Sequence, residues 1–413
     1  MNLYGHWAIS WRELLMANLK YYSPIYRPFG GVFYRSLFQV FGFDPLPFRL
    51  ACYAIMFANL GLAYLNAKAL SGRREAGALA ALFCCYHVGF TDFYYSTGTV
   101  YDLLCFSFYF LALYLYGRGA GVWTAAAVVA LYVFALNSKE MAVTLPAVLI
   151  CYEAIYRRNR RAIPLIVLLA ALTLPYVQGK LSAESPFVNV GDYQPHVSLA
   201  QYLKVYGIYL DRIFYLSPGY FAPMREIGLW VAMAGLAAKF RSKPLLFSTC
   251  FVLVSVLPVV FINPRGTIFV LYIPMFGWAL YLAVLLVMAK DRMLGARPAW
   301  AVALFAVVAG VLVIAHGRKV TPPHVQPEIR AAYEQLRDLH APIKPGGRIL
   351  FLDDPFPKEQ WHPVFISRLL YRDRELQVHR VKTMETRPDA ASYDLVVDWV
   401  DGRYIRRASS SAP

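Results

Sequence analysis

Four ionisable residues lie at or beside apolar runs of the chain, where a charged side chain is costly and usually functional. Asp92 and Asp102 bracket the segment "DFYYSTGTVYD", and Lys139 and Glu140 follow each other in "NSKE". Acids at such positions suit proton transfer, and cations suit a phosphate group. The set indicates a site that handles an anionic lipid carrier, with Asp102, Asp92 and Glu140 as its candidate catalytic acids.

Two arginines add further cations beside apolar runs. Arg27 lies in "YRP" and Arg265 lies in "NPRG". Pro28 predicts extended backbone at Arg27, and no acid adjoins it in the sequence, so we expect it to bind an anion. Substrate phosphate is favoured over a lipid headgroup, and Tyr26 is assigned with Arg27 to substrate binding.

Structural explanations compete for the same residues. Lys139 and Glu140 could form an ion pair at a helix boundary, although adjacent residues on one helix do not face each other. Asp102 could cap the apolar helix that follows it. His87, a candidate substrate-binding residue together with Lys139 and Arg265, could be a satisfied histidine at a helix end.

The composition is that of a polytopic membrane protein. Of 413 residues, 58% are hydrophobic and 16% are charged, against about 25% charged in soluble proteins. Apolar runs of spanning length recur down to about residue 316. The net charge of +16 comes mostly from short basic clusters between these runs. The positive-inside bias of cytoplasmic loops explains them better than nucleic-acid binding does.

The apolar runs predict ten or eleven membrane helices. The expected spans are 47–67, 76–90, 100–117, 121–136, 141–156, 162–177, 226–239, 244–262, 267–289 and 299–316, with 201–222 ambiguous. Charge bias prefers 201–222 at the outer interface or re-entrant. We therefore expect three parts: 1–46 outside the cytoplasm, 47–317 as the transmembrane domain, and 318–413 as a small extracytoplasmic α/β domain.

The tail predicts short strands at "RILFLDD", "LQVHRV" and "YDLVVDW", with a helix at "PEIRAAYEQLRDLHA" and another at about 359–371. Asp353 and Asp354 at the end of the first strand could bind a metal ion, but acids there more often cap the following turn.

Four segments in this order resemble a known family. They are "YRPFGG", "YHVGFTDFYYSTGTVYDLLCFSFYFLALYLY", "LNSKEMAVTLPAVLICYEA" and "NPRGTIFVLYIPMFGWALYLAVLL". Over residues 20–290 the chain resembles the GT-C glycosyltransferases that use polyprenyl-phosphate sugars, the group of protein O-mannosyltransferases and lipid A aminoarabinose transferases. The resemblance implies many helices, an extracytoplasmic active site, a lipid-linked sugar donor and inverting transfer to an acceptor hydroxyl.

The resemblance also implies roles for single residues. Arg27 matches the basic residue that meets the carrier phosphate, and Arg265 matches a second phosphate cation. Asp102 matches an acid at the start of a helix beside the site. Lys139 and Glu140 match a lysine–glutamate step.

One departure from the family concerns the start of the chain. In the family a transmembrane helix precedes this region, and the loop after it opens with the catalytic acid. The only acid before Arg27 here is Glu13, which fits an exposed charge on an amphipathic helix better than a replacement base. Two explanations stay open: an N-terminal truncation, which we prefer because the other matching residues are present, or a degenerate relative that is inactive as given.

The composition predicts an all-α polytopic membrane protein with a small C-terminal α/β domain, in the inner (plasma) membrane, and the resemblance implies that it is GT-C-like and that residues 1–46 are a partial first extracytoplasmic loop. Its expected activity is transfer of a hexosyl or pentosyl group from a polyprenyl-phosphate donor to a protein, lipid or glycan acceptor. A divalent metal ion is compatible with this chemistry, but no His/Asp cluster at ligand spacing supports one. The alternative is a transporter or binding protein for an anionic polyprenyl-linked lipid. The sugar, the acceptor and the oligomeric state stay open.

Overall fold

The computed structural model divides the chain into two compact units, within Trp11–Pro322 and Pro323–Pro413. The structure describes residues 10–21, 27–42, 44–85, 87–119, 121–180, 194–264, 268–294, 307, 310, 327–339, 341–358, 360–373, 375–384, 386 and 388–407. The three-part division at residues 46 and 317 stays a prediction.

The larger unit is helical. Its α-helices in chain order are α1 (Trp11–Leu19), α2 (Pro28–Phe41), α3 (Pro45–Ser71), α4 (Arg74–Cys85), α5 (Thr91–Tyr95), α6 (Val100–Arg118), α7 (Val122–Ser138), α8 (Leu145–Tyr152), α9 (Ile163–Lys180), α10 (Leu199–Ile213), α11 (Pro223–Lys239), α12 (Lys243–Ser255), α13 (Leu257–Val260) and α14 (Tyr272–Leu294). Short 3-10 segments join some of them: Val88–Phe90, Thr97–Thr99, Glu140–Thr144, Arg160–Ala162 and Phe269–Leu271. A π-helical turn at Glu153–Arg157 continues α8.

Five helical segments within the described residues are long and apolar enough to cross a membrane. They are Pro45–Ser71, Thr97–Arg118, Arg160–Lys180, Lys243–Val260 and Phe269–Met293, and each coincides with an expected span. Helix α7 is apolar but has 17 residues, and α4 has 12. The expected span 299–316 lies almost wholly outside the described residues. The expectation of a mostly helical chain with long apolar helices and a small C-terminal sheet region is confirmed, whereas the number of ten or eleven spans stays a prediction.

The ambiguous segment 201–222 is a short helix followed by an anchored loop. Helix α10 has 15 residues, about 22 Å at 1.5 Å per residue, which is less than the bilayer core of about 30 Å. The buried carboxylate of Asp211 accepts hydrogen bonds from the backbone N–H groups of Gly219 (2.6 Å) and Phe221 (2.9 Å). The Asp211 carboxylate therefore holds the loop at 219–221 against the end of α10. The short helix and this folded-back loop favour the interfacial or re-entrant alternative for 201–222.

Two buried asparagines fasten α3 to α6. The Asn59 side chain donates to the carbonyl of Leu103 (3.0 Å), and that of Asn66 donates to the carbonyl of Phe110 (2.9 Å). The second contact lies seven residues after the first on each helix, so both lie along the same interface between α3 and α6. Interhelical hydrogen bonds of this kind contribute about 0.6–2 kcal/mol each in membrane proteins. They fix the position of α6, whose first turn carries Asp102.

Three basic clusters of the larger unit, at 68–74, 157–161 and 290–292, lie at one end of the helices. At this end, which we call the basic end, Arg73 pairs with Asp291 (2.7 Å) and Lys290 pairs with Glu75 (2.8 Å). The hydroxyl of Tyr156 donates to the carbonyl of Leu70 (3.0 Å), which brings "YRRNRR" to "KALSGRRE". The loops expected to be cytoplasmic therefore do lie together, although the side of the membrane stays a prediction.

The smaller unit is a four-stranded sheet with two helices. They are α15 (Pro327–Asp338), β1 (Arg348–Phe351), α16 (His362–Leu370), β2 (Gln377–Arg380), β3 (Leu395–Val400) and β4 (Arg403–Arg407). The strand order is β2-β1-β3-β4, with β1 parallel to β2 and β3, and β4 antiparallel to β3. The three expected strands and both helices are present. Strand β4 was not predicted, although Asp401–Gly402, both at positive φ, is a strong hairpin turn signal.

The acids after β1 hold a loop. Asp354, 3% exposed, accepts from the backbone N–H of Phe356 (3.0 Å) and forms two hydrogen bonds with the Arg380 guanidinium, at 2.8 and 2.9 Å. Arg380 also donates to the carbonyls of Phe356 and Pro357. Asp354 therefore caps the turn after β1, as the preferred explanation had it, and its charge is balanced by Arg380 and, at 3.4 Å, by Lys382.

Loss of Arg380 is expected to destabilise this unit. Arg380→Met leaves the buried Asp354 carboxylate with only the longer ionic contact to Lys382 (3.4 Å), which costs about 3–5 kcal/mol. The measurement is hydrogen exchange of the 348–380 peptides in the full-length protein, where protection should fall by about two orders of magnitude or more. Arg330→Ala is the control, because its ion pair with Glu334 is exposed and contributes little. Equal protection in both variants would contradict the assignment.

Candidate functional site

Arg27 lies immediately before α2 in a strained backbone conformation. Its φ and ψ are 50° and 62°, in the left-handed region, and the residue is 7% exposed. The extended backbone expected from Pro28 is therefore wrong: Pro28 begins α2, and the carbonyl of Arg27 accepts from the N–H of Gly30 (3.1 Å). A bulky residue in this region costs of order 1–3 kcal/mol, and such strain clusters at functional sites.

The guanidinium of Arg27 is held by Glu140, 113 residues later in the chain. Its Nη2 donates to both carboxylate oxygens, at 2.8 and 2.7 Å, and its Cζ lies 5.4 Å from the centre of the Tyr101 ring. The sequence argument that no acid neutralises Arg27 is therefore wrong. No sequence-local signal gives this pairing, because the fold brings the start of α2 to the residues after α7.

Lys139 pairs with Asp102 rather than with its neighbour. The ammonium of Lys139 donates to Oδ1 of Asp102, and the two residues are 2% and 5% exposed. Asp102 does not cap α6, because the N-cap position belongs to Thr99. Lys139 Nζ also lies 5.2 Å from the centre of the Phe269 ring, just before α14.

Two consecutive residues, Lys139 and Glu140, each contribute one side chain to a different ion pair. Lys139 is extended (φ −160°, ψ 151°) between the end of α7 and the 3-10 segment that starts at Glu140. Successive side chains of extended backbone point to opposite sides, so Lys139 reaches α6 and Glu140 reaches the start of α2. The alternative of a Lys139–Glu140 ion pair is not what the structure shows.

A third cation, which was not predicted from the sequence, interacts electrostatically with one of these pairs. Lys180 is the last residue of α9, and its charge interacts with those of Glu140 and Arg27. The same criterion that selected the others, a charge at the end of an apolar run, could have found it. Arg27, Asp102, Lys139, Glu140 and Lys180 are called the ion cluster below; with three cations and two carboxylates it has a formal charge of +1.

The neighbouring cations change the pKa of Glu140. Burial raises the pKa of this carboxyl, but Arg27 and Lys139 outweigh burial and lower the pKa to about 2. Glu140 is therefore ionised and a very weak base for as long as Arg27 is its partner. Its side chain is 18% exposed, against 8% for that of Arg27, so it is the more accessible member of the pair.

His87 is engaged by the backbone on both sides of its ring. Nδ1 accepts from the N–H of Gly89 (3.0 Å), and Nε2 lies 3.1 Å from the carbonyl oxygen of Ile213. The ring stacks on Tyr215 with centroids 4.7 Å apart. These bonds require the neutral ring with its proton on Nε2. The structure therefore shows the satisfied histidine that was the alternative explanation, and the assignment of His87 to substrate binding stays a prediction.

The remaining candidates do not join the ion pairs of the cluster in the described part of the chain. Asp92 lies in the short helix α5. Glu13 is exposed in the first turn of α1, as a solvated charge would be. Tyr26 and Arg265 lie outside the described residues, so their roles stay predictions. Among the described residues, no group of three His, Cys, Asp or Glu side chains is placed to hold a metal ion.

Gly30 is expected to be required for the position of Arg27. A Cβ at Gly30 would lie 2.0 Å from Cε1 of Tyr101, so Gly30→Ala must displace the ring that flanks the guanidinium. We expect binding of a phosphate ligand to weaken about tenfold or more. Gly61→Ala in α3 is the matched control, since a Cβ there meets nothing within 4 Å. Equal binding by the two variants, measured on purified protein, would contradict this role of Gly30.

The cluster can bind an anionic group and accept a proton. Its cations come from the start of α2, the end of α7 and the end of α9, and its carboxylates come from α6 and the 3-10 segment after α7. Comparison of the chain with protein-family models, with curated proteins and with solved structures gives no match. The ion cluster therefore carries the functional argument.

Proposed function

We propose that the protein is a membrane glycosyltransferase that moves a sugar from a polyprenyl-phosphate donor to an acceptor hydroxyl with inversion. The observation that carries the proposal is the ion cluster itself: four side chains from three distant parts of the chain form two ion pairs beside apolar spans, and the charge of Lys180 interacts with one of them, which gives a formal charge of +1. Buried charges are costly unless paired, and at membrane depth they mark substrate sites. The resemblance of the motifs that supply four of the five residues supports the same reaction.

The proposed reaction assigns one task to each kind of charge. The acceptor oxygen attacks the anomeric carbon from the face opposite the phosphate while a cluster carboxylate takes its proton. The bond between the anomeric carbon and the phosphate oxygen breaks, and its electron pair leaves with the polyprenyl phosphate. Arg27 and Lys180 stabilise the negative charge that develops there, which is the usual source of most of the rate gain in such sites.

The two ends of the bundle support an extracytoplasmic site. Asp102 lies in the first turn of α6, and Arg118 ends the same helix near the basic end. These 19 residues span about 28 Å, close to the thickness of a bilayer core. If the basic end is cytoplasmic, as the positive-inside rule requires, the ion cluster faces the other side of the inner membrane.

The test is transfer by purified protein in proteoliposomes supplied with a radiolabelled polyprenyl-phosphate sugar and a mixture of envelope acceptors. Label should pass from the lipid extract to an acceptor fraction. Movement of intact labelled donor between leaflets without any transfer would instead establish the transporter. Neither transfer nor movement, with donor bound, would leave a binding protein and contradict the proposal.

A further inference from the structure

We propose that Glu140 occupies the phosphate position on Arg27, is displaced when the donor phosphate binds, and then serves as the proton acceptor for the incoming hydroxyl. The first step, the exchange of partners on Arg27, requires only that a phosphate binds. The second step, proton acceptance, rests on the proposed glycosyl transfer.

The contacts of Arg27 make carboxylate and phosphate competitors. A guanidinium binds both groups through the same parallel N–H donors, and Nη2 of Arg27 is already engaged with both oxygens of Glu140. A phosphate that binds Arg27 through this nitrogen must therefore separate the pair. The Glu140 carboxylate therefore lies where a phosphate bound to this nitrogen would lie.

The moving partner is Glu140 rather than Arg27. Arg27 is fixed by its left-handed backbone, by Pro28 and by the Tyr101 ring, and it is almost wholly buried. Glu140 is more exposed and opens a five-residue 3-10 segment, a conformation with weaker hydrogen bonds than an α-helix. Rotation of one side chain is enough to exchange the partners, because Lys139 keeps its separate bond to Asp102.

The exchange couples donor binding to base strength. While it is paired with Arg27, Glu140 has a depressed pKa and takes up protons poorly. Once the phosphate has neutralised Arg27, the attraction that lowers the pKa is removed, whereas the burial that raises it persists. The proton of the acceptor O–H then passes to the Glu140 carboxylate as the oxygen bonds to the anomeric carbon and polyprenyl phosphate leaves with the electron pair of the broken C–O bond. Glu140 would thus become an effective base only when a donor phosphate is bound.

The experiment measures binding of farnesyl phosphate to purified wild type, Glu140→Gln and Glu153→Gln by calorimetry in detergent. Glu140→Gln removes the competing charge, so affinity should rise about tenfold or more, a typical effect for one charge-assisted hydrogen-bonded partner. Glu153 is a buried carboxylate bound to Tyr116 (2.8 Å) at the basic end, so its variant should bind like wild type. Farnesol, which lacks the phosphate, should bind all three equally.

Glu140→Asp provides a second route if the glutamine variant fails to fold. The carboxylate is kept but is one methylene shorter, so its hold on Arg27 weakens and farnesyl phosphate should bind a few-fold more tightly. Unchanged or weaker phosphate binding in the folded variants would overturn the exchange.

The two proposals fail separately. Tighter phosphate binding by Glu140→Gln with no sugar transfer by wild type would keep the exchange and reject the transferase. Transfer by wild type, together with unchanged phosphate affinity in Glu140→Gln, would do the reverse. Full transfer activity in Glu140→Gln would reject the base.

Discussion

Arg27→Ala is expected to reduce sugar transfer by about 10²–10³-fold, the usual cost of removing one preorganised group that stabilises charge in a transition state. The substitution removes the cation closest to the phosphate position and leaves the Glu140 carboxylate without its partner. Arg27→Lys should retain part of the activity, since the charge stays but the parallel N–H donors are lost.

The measurement is the initial rate of transfer in proteoliposomes at saturating donor. Arg118→Ala is the control: this arginine ends α6 near the basic end, where its guanidinium donates to the Tyr114 hydroxyl (2.8 Å). Its rate should match that of wild type. A rate for Arg27→Ala within a few-fold of the control would remove Arg27 from the site.

Lys139→Met is expected to destabilise the folded protein by about 3–5 kcal/mol, because it strands the Asp102 carboxylate in a buried position. The double variant Asp102→Leu/Lys139→Met should recover most of this loss, since apolar residues of similar volume often replace a buried ion pair at little cost. If Asp102 and Lys139 serve only stability, the double variant should also keep its transfer activity. We expect it to lose activity, because Lys139 contributes to the field of the ion cluster.

Thermal unfolding in detergent, followed by tryptophan fluorescence, tests the stability effect. Arg73→Ala at the basic end is the matched control, because its side chain is 45% exposed and a surface pair contributes at most about 1 kcal/mol. Two results would contradict a buried Asp102–Lys139 ion pair. One is a Lys139→Met variant that is as stable as Arg73→Ala, and the other is a double variant that is no more stable than Lys139→Met.

The membrane helices could be predicted because their signal is local. A run of about 20 apolar residues needs no partner to be recognised, and all five long spans coincide with such runs. Strands β1 to β3 could likewise be predicted from short apolar segments. The lengths of α4 and α10 were not, since tertiary contacts such as the Asp211 anchor decide where a helix ends.

Most residues of the candidate site could be predicted from the sequence, but the ion pairs that they form could not. Asp102, Lys139 and Glu140 stand out because each is a charge beside an apolar run, but sequence separation hides that Glu140 neutralises Arg27. The preference of a residue before proline for extended backbone also failed at Arg27, where the ion pair and the Tyr101 contact hold a strained conformation. Lys180 was overlooked because the expected span ended at residue 177, whereas the helix continues to Lys180.

The central claim is that the ion cluster transfers sugar from a polyprenyl phosphate with inversion. The most direct measurement is the anomeric configuration of the labelled product formed by wild type from a donor of known configuration, with Arg27→Ala run in parallel. The account predicts a product of opposite configuration from wild type and almost none from Arg27→Ala. A product of retained configuration, or equal product from both proteins, would contradict it.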